Sequence, residues 1–398
     1  MNLLSNRIQA LSESATIAMS RKSREMRENG VDVISLSLGE PDFNTPDFVK
    51  EAAKQAIDEN YSKYPPIPGY KDLREAISHK FKRDNNLDYK DTQIVVSTGA
   101  KQSIANVVLC TINPGDEVLL PAPYWVTYSE IVKLAGGKPI VVNTSIDNDF
   151  KVTQRQLEAH TTAKTKMLIF SSPCNPSGSV FTESDLEEIA AYLRQHKQVL
   201  AIADEIYEQI TFTGKHLSLA GFEGVYDQVI TVNGLSKGFA MTGWRCGYIG
   251  APQWLADACT KMQGQFTSAA SSITQRAALA ALQADPNELT TMKEAFLKRR
   301  DLVVKLVKEI PGFKTNLPQG AFYVFPDISA LLGKKAGDQN LESSADLCHY
   351  LLEEAHVALV PGEAFGSPHC VRISYASSEA ELKEALQRIK NAVENLIA

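Results

Sequence analysis

The sequence predicts an α/β protein: a large, mostly parallel sheet covered by helices on both faces, followed by a smaller α+β domain. Three observations predict it. Through the middle of the chain, short apolar runs bounded by turn residues alternate with segments of helical period. Those runs are continuously apolar rather than alternating, which suits strands buried on both faces of a parallel sheet. Beyond about residue 290 the texture changes to long charged helices and brief strands, and 398 residues leave ample room for a second core.

In chain order, "QIVVS" (93–97) is the first strand and runs into the helix candidate "TGAKQSIANVVLCTI". "DEVLLP" (116–121) is the second and precedes the helical "PYWVTYSEIVKLAGG". "MLIFSS" (167–172) leads through the turn-rich "PCNPSG" to "TESDLEEIAAYLRQH", a helix opened by a Thr cap and an acidic first turn. "VLAIAD" (199–204) and "QVITVN" (228–233) continue the sheet, and "CGYIGAP" (246–252) reads as one more strand, antiparallel being open. A long helix, "NELTTMKEAFLKRRDLVVKLVKEI", ends at Pro311-Gly312; "GAFYVFPDI", a helix around 344–355, "VALVPG", "CVRISYA" and a last helix complete the smaller domain. "YPPIPGY" and "LDYKDTQ" are loops, and the first 45 residues belong to neither half on pattern alone.

Bulk properties exclude several functions. A net charge of −6 argues against nucleic acid or an anionic membrane as partner. No apolar run approaches the roughly 18 residues of a membrane span, and "MNLLSNRIQALSESA" lacks the apolar region of a secretory signal, so a cytoplasmic protein is expected. The six cysteines contain no C-x-x-C pair and the seven histidines no H-E-x-x-H spacing, so reduced thiols and no metal site are expected. Neither a Walker pattern nor G-x-G-x-x-G is present.

Ligands of open parallel sheets bind beyond the carboxyl ends of the strands, so the polar residues there are the candidates. Ser97-Thr98-Gly99-Ala100-Lys101 ends one strand and opens a helix, where exposed N–H groups make an anion site; a tight turn alone explains the same residues. Asn175 lies in a turn that needs no function. Asp204, with Tyr207 close behind, ends another strand and could equally cap a helix. "NGLSKGFAMTGWR" (233–245) places Lys237 and Arg245 in a thin, flexible loop, where either could be an ordinary surface charge. Together, an anion-binding turn, an amide, a carboxylate with a phenol, and a lysine with an arginine form the set that pyridoxal phosphate requires: an amine for its aldehyde, N–H donors and a cation for its phosphate, a carboxylate for its ring nitrogen and donors for its phenolate oxygen.

"GLSKGFAMTGWRCG" resembles the lysine motif of class I and II aminotransferases, which have the fold type I pyridoxal-phosphate architecture. "SLGEPDF" (37–43), "YPPIPGYKDLREAI" (64–77), "STGAKQ" (97–102), "PAPYW" (121–125), "SSPCNPSG" (171–178), "ADEIYE" (203–208) and "VRISYA" (371–376) fall in that family's order over nearly the whole chain. Two departures stand out: Gly234 replaces a phosphate-binding hydroxyl that some relatives carry three residues before the lysine, and Cys246 replaces a small aliphatic residue.

The resemblance implies a seven-stranded sheet and the following roles. Lys237 would hold pyridoxal 5'-phosphate as an internal aldimine and move the substrate's α-proton. Asp204 would pair with the ring nitrogen, while Asn175 and Tyr207 would bond the phenolate oxygen. Arg245 and the amides of Gly99, Ala100 and Lys101 would bind phosphate, Tyr70 would reach the phosphate of a neighbouring subunit, and Trp125 would stack on the ring. Arg372, with the amide of Gly39, would clamp the substrate α-carboxylate. In the aspartate aminotransferase branch that the chain resembles, Lys101 and Thr16 would contact the distal carboxylate. The other aspartate branch uses an arginine where this chain has "FTSAASS" (266–272); the nearby Arg276 receives no role.

The implied reaction is aspartate plus 2-oxoglutarate to oxaloacetate plus glutamate, in ping-pong order, by a homodimer with shared active sites. Prephenate, aromatic or alanine transamination, a lyase or decarboxylase on the same scaffold, and a non-catalytic amino-acid sensor are the alternatives. Sensors of this fold append a DNA-binding domain, for which residues 1–45 are too short. The implied division is an N-terminal segment (1–45) joining the small domain, a large cofactor-binding domain (46–295) and a C-terminal small domain (296–398).

Overall fold

The computed structural model describes residues 3–13, 15–336 and 339–396. Seven strands form the main sheet: β1 (Ile94–Ser97), β2 (Glu117–Ala122), β3 (Lys138–Asn143), β4 (Thr165–Ser171), β5 (Leu200–Asp204), β6 (Val229–Gly234) and β7 (Gly247–Gly250), in the spatial order β1-β7-β6-β5-β4-β2-β3. All pairings are parallel except those of β7, which is antiparallel to both β1 and β6. The link from β6 to β7 is short and contains no helix, so the chain can only turn back beside β6 rather than cross over the sheet. That returning link carries Lys237 and Arg245.

β1 and β2 are buried throughout and β6 up to Gly234, as their apolar runs predict. β3 is the strand that the apolar-run reading did not locate. It lies at the sheet edge, opens with Lys138-Pro139 and exposes Lys138, Val141 and Asn143, so it lacks the continuous apolar signature of its neighbours. Helix α2 (Ala100–Thr111) begins directly on β7: a Cβ at Gly247 would collide with the backbone of Gly99 and Ala100. The helix Glu183–Gln195 starts as predicted at Thr182, whose hydroxyl accepts from the Asp185 amide while the Asp185 carboxylate accepts from the Thr182 amide.

A second core collects Met19, Val33 and Leu36 with Phe296, Val303, Leu351, Ile373 and Ile389. It contains helix α1 (Ala15–Glu28), helix α3 (Thr290–Val307), and the strands β8 (Tyr323–Val324), β9 (Val360–Pro361) and β10 (Val371–Ser374), which pair antiparallel in the order β9-β10-β8. Ile34–Ser35 pairs parallel with Val357–Ala358, tying the N-terminal segment to this core. The same core reaches Ile206, Tyr207 and Ile210 just past β5, so it closes over the carboxyl end of the main sheet. Among the described residues no helix is long and apolar enough to cross a membrane. The six cysteines are free thiols, five of them buried.

Behind β5 lies a buried polar cluster that the sequence reading did not anticipate. Lys80 is paired with Glu208 and donates to Asn85 Oδ1 at 2.7 Å. Asn85 donates to Glu208 at 2.9 Å, and Ser218 donates to Glu205 at 2.7 Å. His216 Nε2 lies 3.0 Å from Glu205 Oε2. Burial alone would depress the His216 pKa, but the Glu205 and Glu208 carboxylates outweigh it and raise it above the ordinary value. The protonated pair therefore stabilises the fold fully below the unfolded imidazole pKa of about 6.5. That contribution is lost as pH rises through the raised folded value. The melting-temperature difference between wild type and His216→Gln should accordingly shrink between pH 6 and pH 9; a pH-independent difference would contradict the charged assignment.

Candidate active site

The carboxyl ends of the main-sheet strands and the second core line a solvent-open cavity of about 290 Å³. β4 ends at Ser171, β5 at Asp204 and β6 at Gly234, so parallel topology alone sets the serine, the carboxylate and the lysine loop side by side. Asn175, Asp204, Tyr207, Lys237 and Arg245 all line it. So do Ala100, Lys101, Trp125, Thr16, Gly39 and Arg372. Four basic side chains (Lys101, Lys237, Arg245, Arg372) face two acidic ones (Glu40, Asp204), which suits a strongly anionic occupant.

Lys237 Nζ donates to the Gly39 carbonyl at 2.5 Å and sits 5.9 Å from the centroid of the Tyr207 ring. Its pKa is lowered to about 8, chiefly by burial; the Glu40 charge opposes this, the Arg372 and Arg245 charges add to it, and Asp204 opposes it least. A neutral amine is thus accessible close to physiological pH. Asp204 is 3% exposed. Its Oδ2 accepts from the Tyr128 hydroxyl at 2.7 Å and its Oδ1 from the Ile206 amide at 3.2 Å. Burial raises its pKa to about 6, against the lowering effect of those two donors.

Arg372, on β10, is 2% exposed. Its Nη1 donates to Asn175 Oδ1 at 3.0 Å and its Nη2 to the Ser37 carbonyl at 2.6 Å, while its buried Nε has no partner. The guanidinium lies against Tyr323, 4.7 Å from the ring centroid, and Phe365, at 5.0 Å. A buried cation with an unspent donor is costly unless an anion completes it. Asn175 spends its oxygen on Arg372, and its Nδ2 has no partner among the described residues. The Tyr207 hydroxyl lies 2.8 Å from that of Tyr323, and with Tyr323 as donor the Tyr207 proton is free for the cavity.

At the phosphate-like end, the first helical amides of α2, Ala100 and Lys101, have no acceptor among the described residues, as the start of a helix leaves them. Gly99 departs from expectation. Its amide is turned to the Ser97 carbonyl at 2.7 Å, so it is not an available donor. What Gly99 provides is room: its φ of +83° favours glycine, and a Cβ there would strike the Arg245 guanidinium. Arg245 itself holds a φ of 56°, an uncommon strained conformation for a side-chain-bearing residue. The absence of a hydroxyl at Gly234 also has a cause: a Cβ there would come within 2.8 Å of the Cys246 carbonyl and 2.9 Å of the Gly247 Cα.

Lys101 stays exposed, with Nζ 5.0 Å from the Trp125 ring centroid; partial burial and then Arg245 hold its pKa below the ordinary lysine value. Tyr70 does not line the cavity. It lies outside, edge-on to Tyr61, with the Arg276 guanidinium 4.4 Å from its ring centroid. Arg276 is spent on Asp72 through two bonds of 2.6 Å and does not reach the cavity. Tyr128, Tyr323, Ser171, Ser236 and Glu40 are cavity residues that the sequence reading did not single out. Tyr128 stands three residues after Trp125, a spacing that could have flagged it, and Ser236 adjoins Lys237. Tyr323 comes from the other core and has no local signal.

A deep anionic-ligand cavity with a low-pKa amine between a buried acid and a buried arginine defines an enzyme that moves amino groups. The family model described as Aminotransferase class I and II matches residues 31–389, and the chain belongs to that family. It is 48% identical over 395 residues to the "Bifunctional aspartate aminotransferase and glutamate/aspartate-prephenate aminotransferase" of Petunia hybrida, covering 98% of this chain and 82% of that one. It is 45% identical over 393 residues to the "Aspartate/prephenate aminotransferase" of Cereibacter sphaeroides, covering 98% of each. Among solved structures, the aspartate aminotransferase of Rhizobium meliloti superposes with a TM-score of 0.96 at 41% identity, covering 100% of both chains. That of Thermus thermophilus with maleate gives 0.92 at 38% identity, covering 98% of this chain and 100% of the other.

Proposed function

We propose that this aminotransferase uses pyridoxal 5'-phosphate and transfers the amino group of aspartate to 2-oxoglutarate, giving oxaloacetate and glutamate. One observation carries the reading: Lys237, Asp204, Arg245 and Arg372 line a single cavity, and the Arg372 Nε is buried without a partner. The residues fit the cofactor. The Ala100 and Lys101 amides with Arg245 suit its phosphate, Asp204 its ring nitrogen, Asn175 and Tyr207 its phenolate oxygen, Trp125 its ring face and Lys237 its aldehyde. When bound, the cofactor supplies a carbonyl for amino exchange and a sink for the electrons of the substrate's Cα–H bond.

The chain's own residues do the rest. Arg372, assisted by the Gly39 amide, fixes the α-carboxylate and so the direction of the Cα–H bond. Lys237 Nζ, once released, takes the α-proton and returns it; its lowered pKa suits both transfers near neutral pH. Asp204, held as an anion, balances positive charge at the base of the cavity. Lys101 and Thr16 at the mouth select a second carboxylate; the names of the relatives above support that assignment.

We divide the chain into residues 1–45 with the small domain, a large domain of 46–295 and a small domain of 296–398, in a cytoplasmic homodimer. The position of Tyr70 outside its own cavity supports a role in the site of a second protomer. The test is a half-reaction. Aspartate alone should bleach the visible band of the bound cofactor, and 2-oxoglutarate should restore it. Lys101→Ala should lower kcat/KM for aspartate by about tenfold while sparing alanine and phenylalanine. Binding without bleaching would indicate a sensor, release of ammonia a lyase, and an unchanged preference would refute the role of Lys101.

A further inference from the structure

We infer that Tyr128 is a positioning residue for the reaction: its hydroxyl holds the Asp204 carboxylate as an anion in one fixed orientation at the base of the cavity. The inference rests on the reading of Asp204 given above and extends it to a residue with no role so far.

Tyr128 is fully buried and lies in the first turn of the helix Thr127–Leu134. Its own amide donates to the Trp125 carbonyl at 2.9 Å, and its ring stands edge-on to the Trp125 indole, centroids 5.6 Å apart at 89°. One short segment thus sets the indole at the cavity wall and the hydroxyl on Asp204. The bond to Asp204 Oδ2 is 2.7 Å, short as charge-assisted O–H···O bonds are. Burial, then the Asp204 charge, raises the phenol pKa well above its ordinary value, so the hydroxyl keeps its proton and acts as donor to Asp204.

The groups facing Asp204 are few. Glu205 adjoins it in the chain and disfavours its charge, while the Ile206 amide, Tyr128 and Lys237 favour it. The Tyr207 phenol, whose own pKa the Asp204 charge helps to raise, completes the set. Lys237 is consumed by the cofactor in the loaded enzyme. Tyr128 and one backbone amide then remain as the fixed donors that hold a fully desolvated carboxylate ionised. Removing the hydroxyl should let Asp204 take up a proton at higher pH and rotate.

The experiment compares Tyr128→Phe, Asp204→Asn and the double variant. Apoprotein is titrated with pyridoxal phosphate by fluorescence quenching, and kcat and KM for aspartate are measured across pH. Tyr128→Phe should weaken cofactor binding by about tenfold or more. It should lower kcat with KM little changed, and move the acid limb of kcat to higher pH. In the Asp204→Asn background the same substitution should change neither cofactor affinity nor kcat by more than about twofold. Equal losses in both backgrounds, or no loss in the wild-type background, overturn the inference. If Asp204→Asn by itself leaves cofactor affinity and kcat intact, the underlying reading of Asp204 fails, a result distinct from failure of Tyr128→Phe alone.

Discussion

Lys237→Ala is expected to lower kcat by roughly 10⁴-fold or more, the combined loss of a covalent anchor and a general base. Lys237 Nζ is the one amine in the cavity placed between a carbonyl, at Gly39, and a buried acid, at Asp204. Lys101, the other amine, stays exposed against Trp125, so it offers no substitute. The lowered pKa of Lys237 allows a second test. Only the neutral amine attacks an aldehyde, and its population grows as pH rises through about 8. The rate at which apoprotein captures pyridoxal phosphate should therefore increase with pH, with its midpoint near that value. A variant that kept more than about one per cent of wild-type kcat would exceed what residual binding and orientation can supply.

The second large effect concerns Arg372. Arg372→Met is expected to reduce kcat/KM for every amino-acid substrate by roughly 10²- to 10³-fold, the range for truncating a buried, hydrogen-bonded charge partner. Arg372→Lys should recover little of it, because an ammonium cannot present two parallel donors from that depth. A distinctive consequence follows from charge. Arg372 is one of the groups that lower the Lys237 pKa, so its removal should move the midpoint of cofactor capture upward. Loss of substrate affinity without that shift would place Arg372 farther from the amine than the structure does. Since Arg372 also serves Asn175 Oδ1 and the Ser37 carbonyl, the variants must be compared at temperatures well below their melting points.

The sequence showed the strands that are buried on both faces and hid the one that is not. β2, β4, β5 and β6 are mainly apolar runs because neighbours and helices cover nearly every residue, whereas the half-exposed edge strand β3 carries a mixed pattern. Asp204 and the Lys237 loop were legible for a related reason: parallel pairing sets the carboxyl ends of β5 and β6 side by side regardless of the rest of the fold. Residues recruited across the two cores were not. Tyr323 meets Tyr207 and Arg372 only because the second core packs over the end of β5, and a separation of 116 positions between the two tyrosines carries no periodic clue. Gly99 shows a subtler limit. Its place at a helix start was readable, but its amide is turned to Ser97 and its service is to clear space for Arg245. Gly234, noted as a departure from relatives, is instead required by its backbone neighbours Cys246 and Gly247.

The most direct test is chemical trapping. The protein is loaded with pyridoxal phosphate, reduced with borohydride, digested and sequenced by mass spectrometry. A single reduced cofactor adduct on Lys237, absent from Lys237→Ala, is the predicted result. An adduct on Lys101, a scatter over surface lysines, or no adduct at all would contradict it.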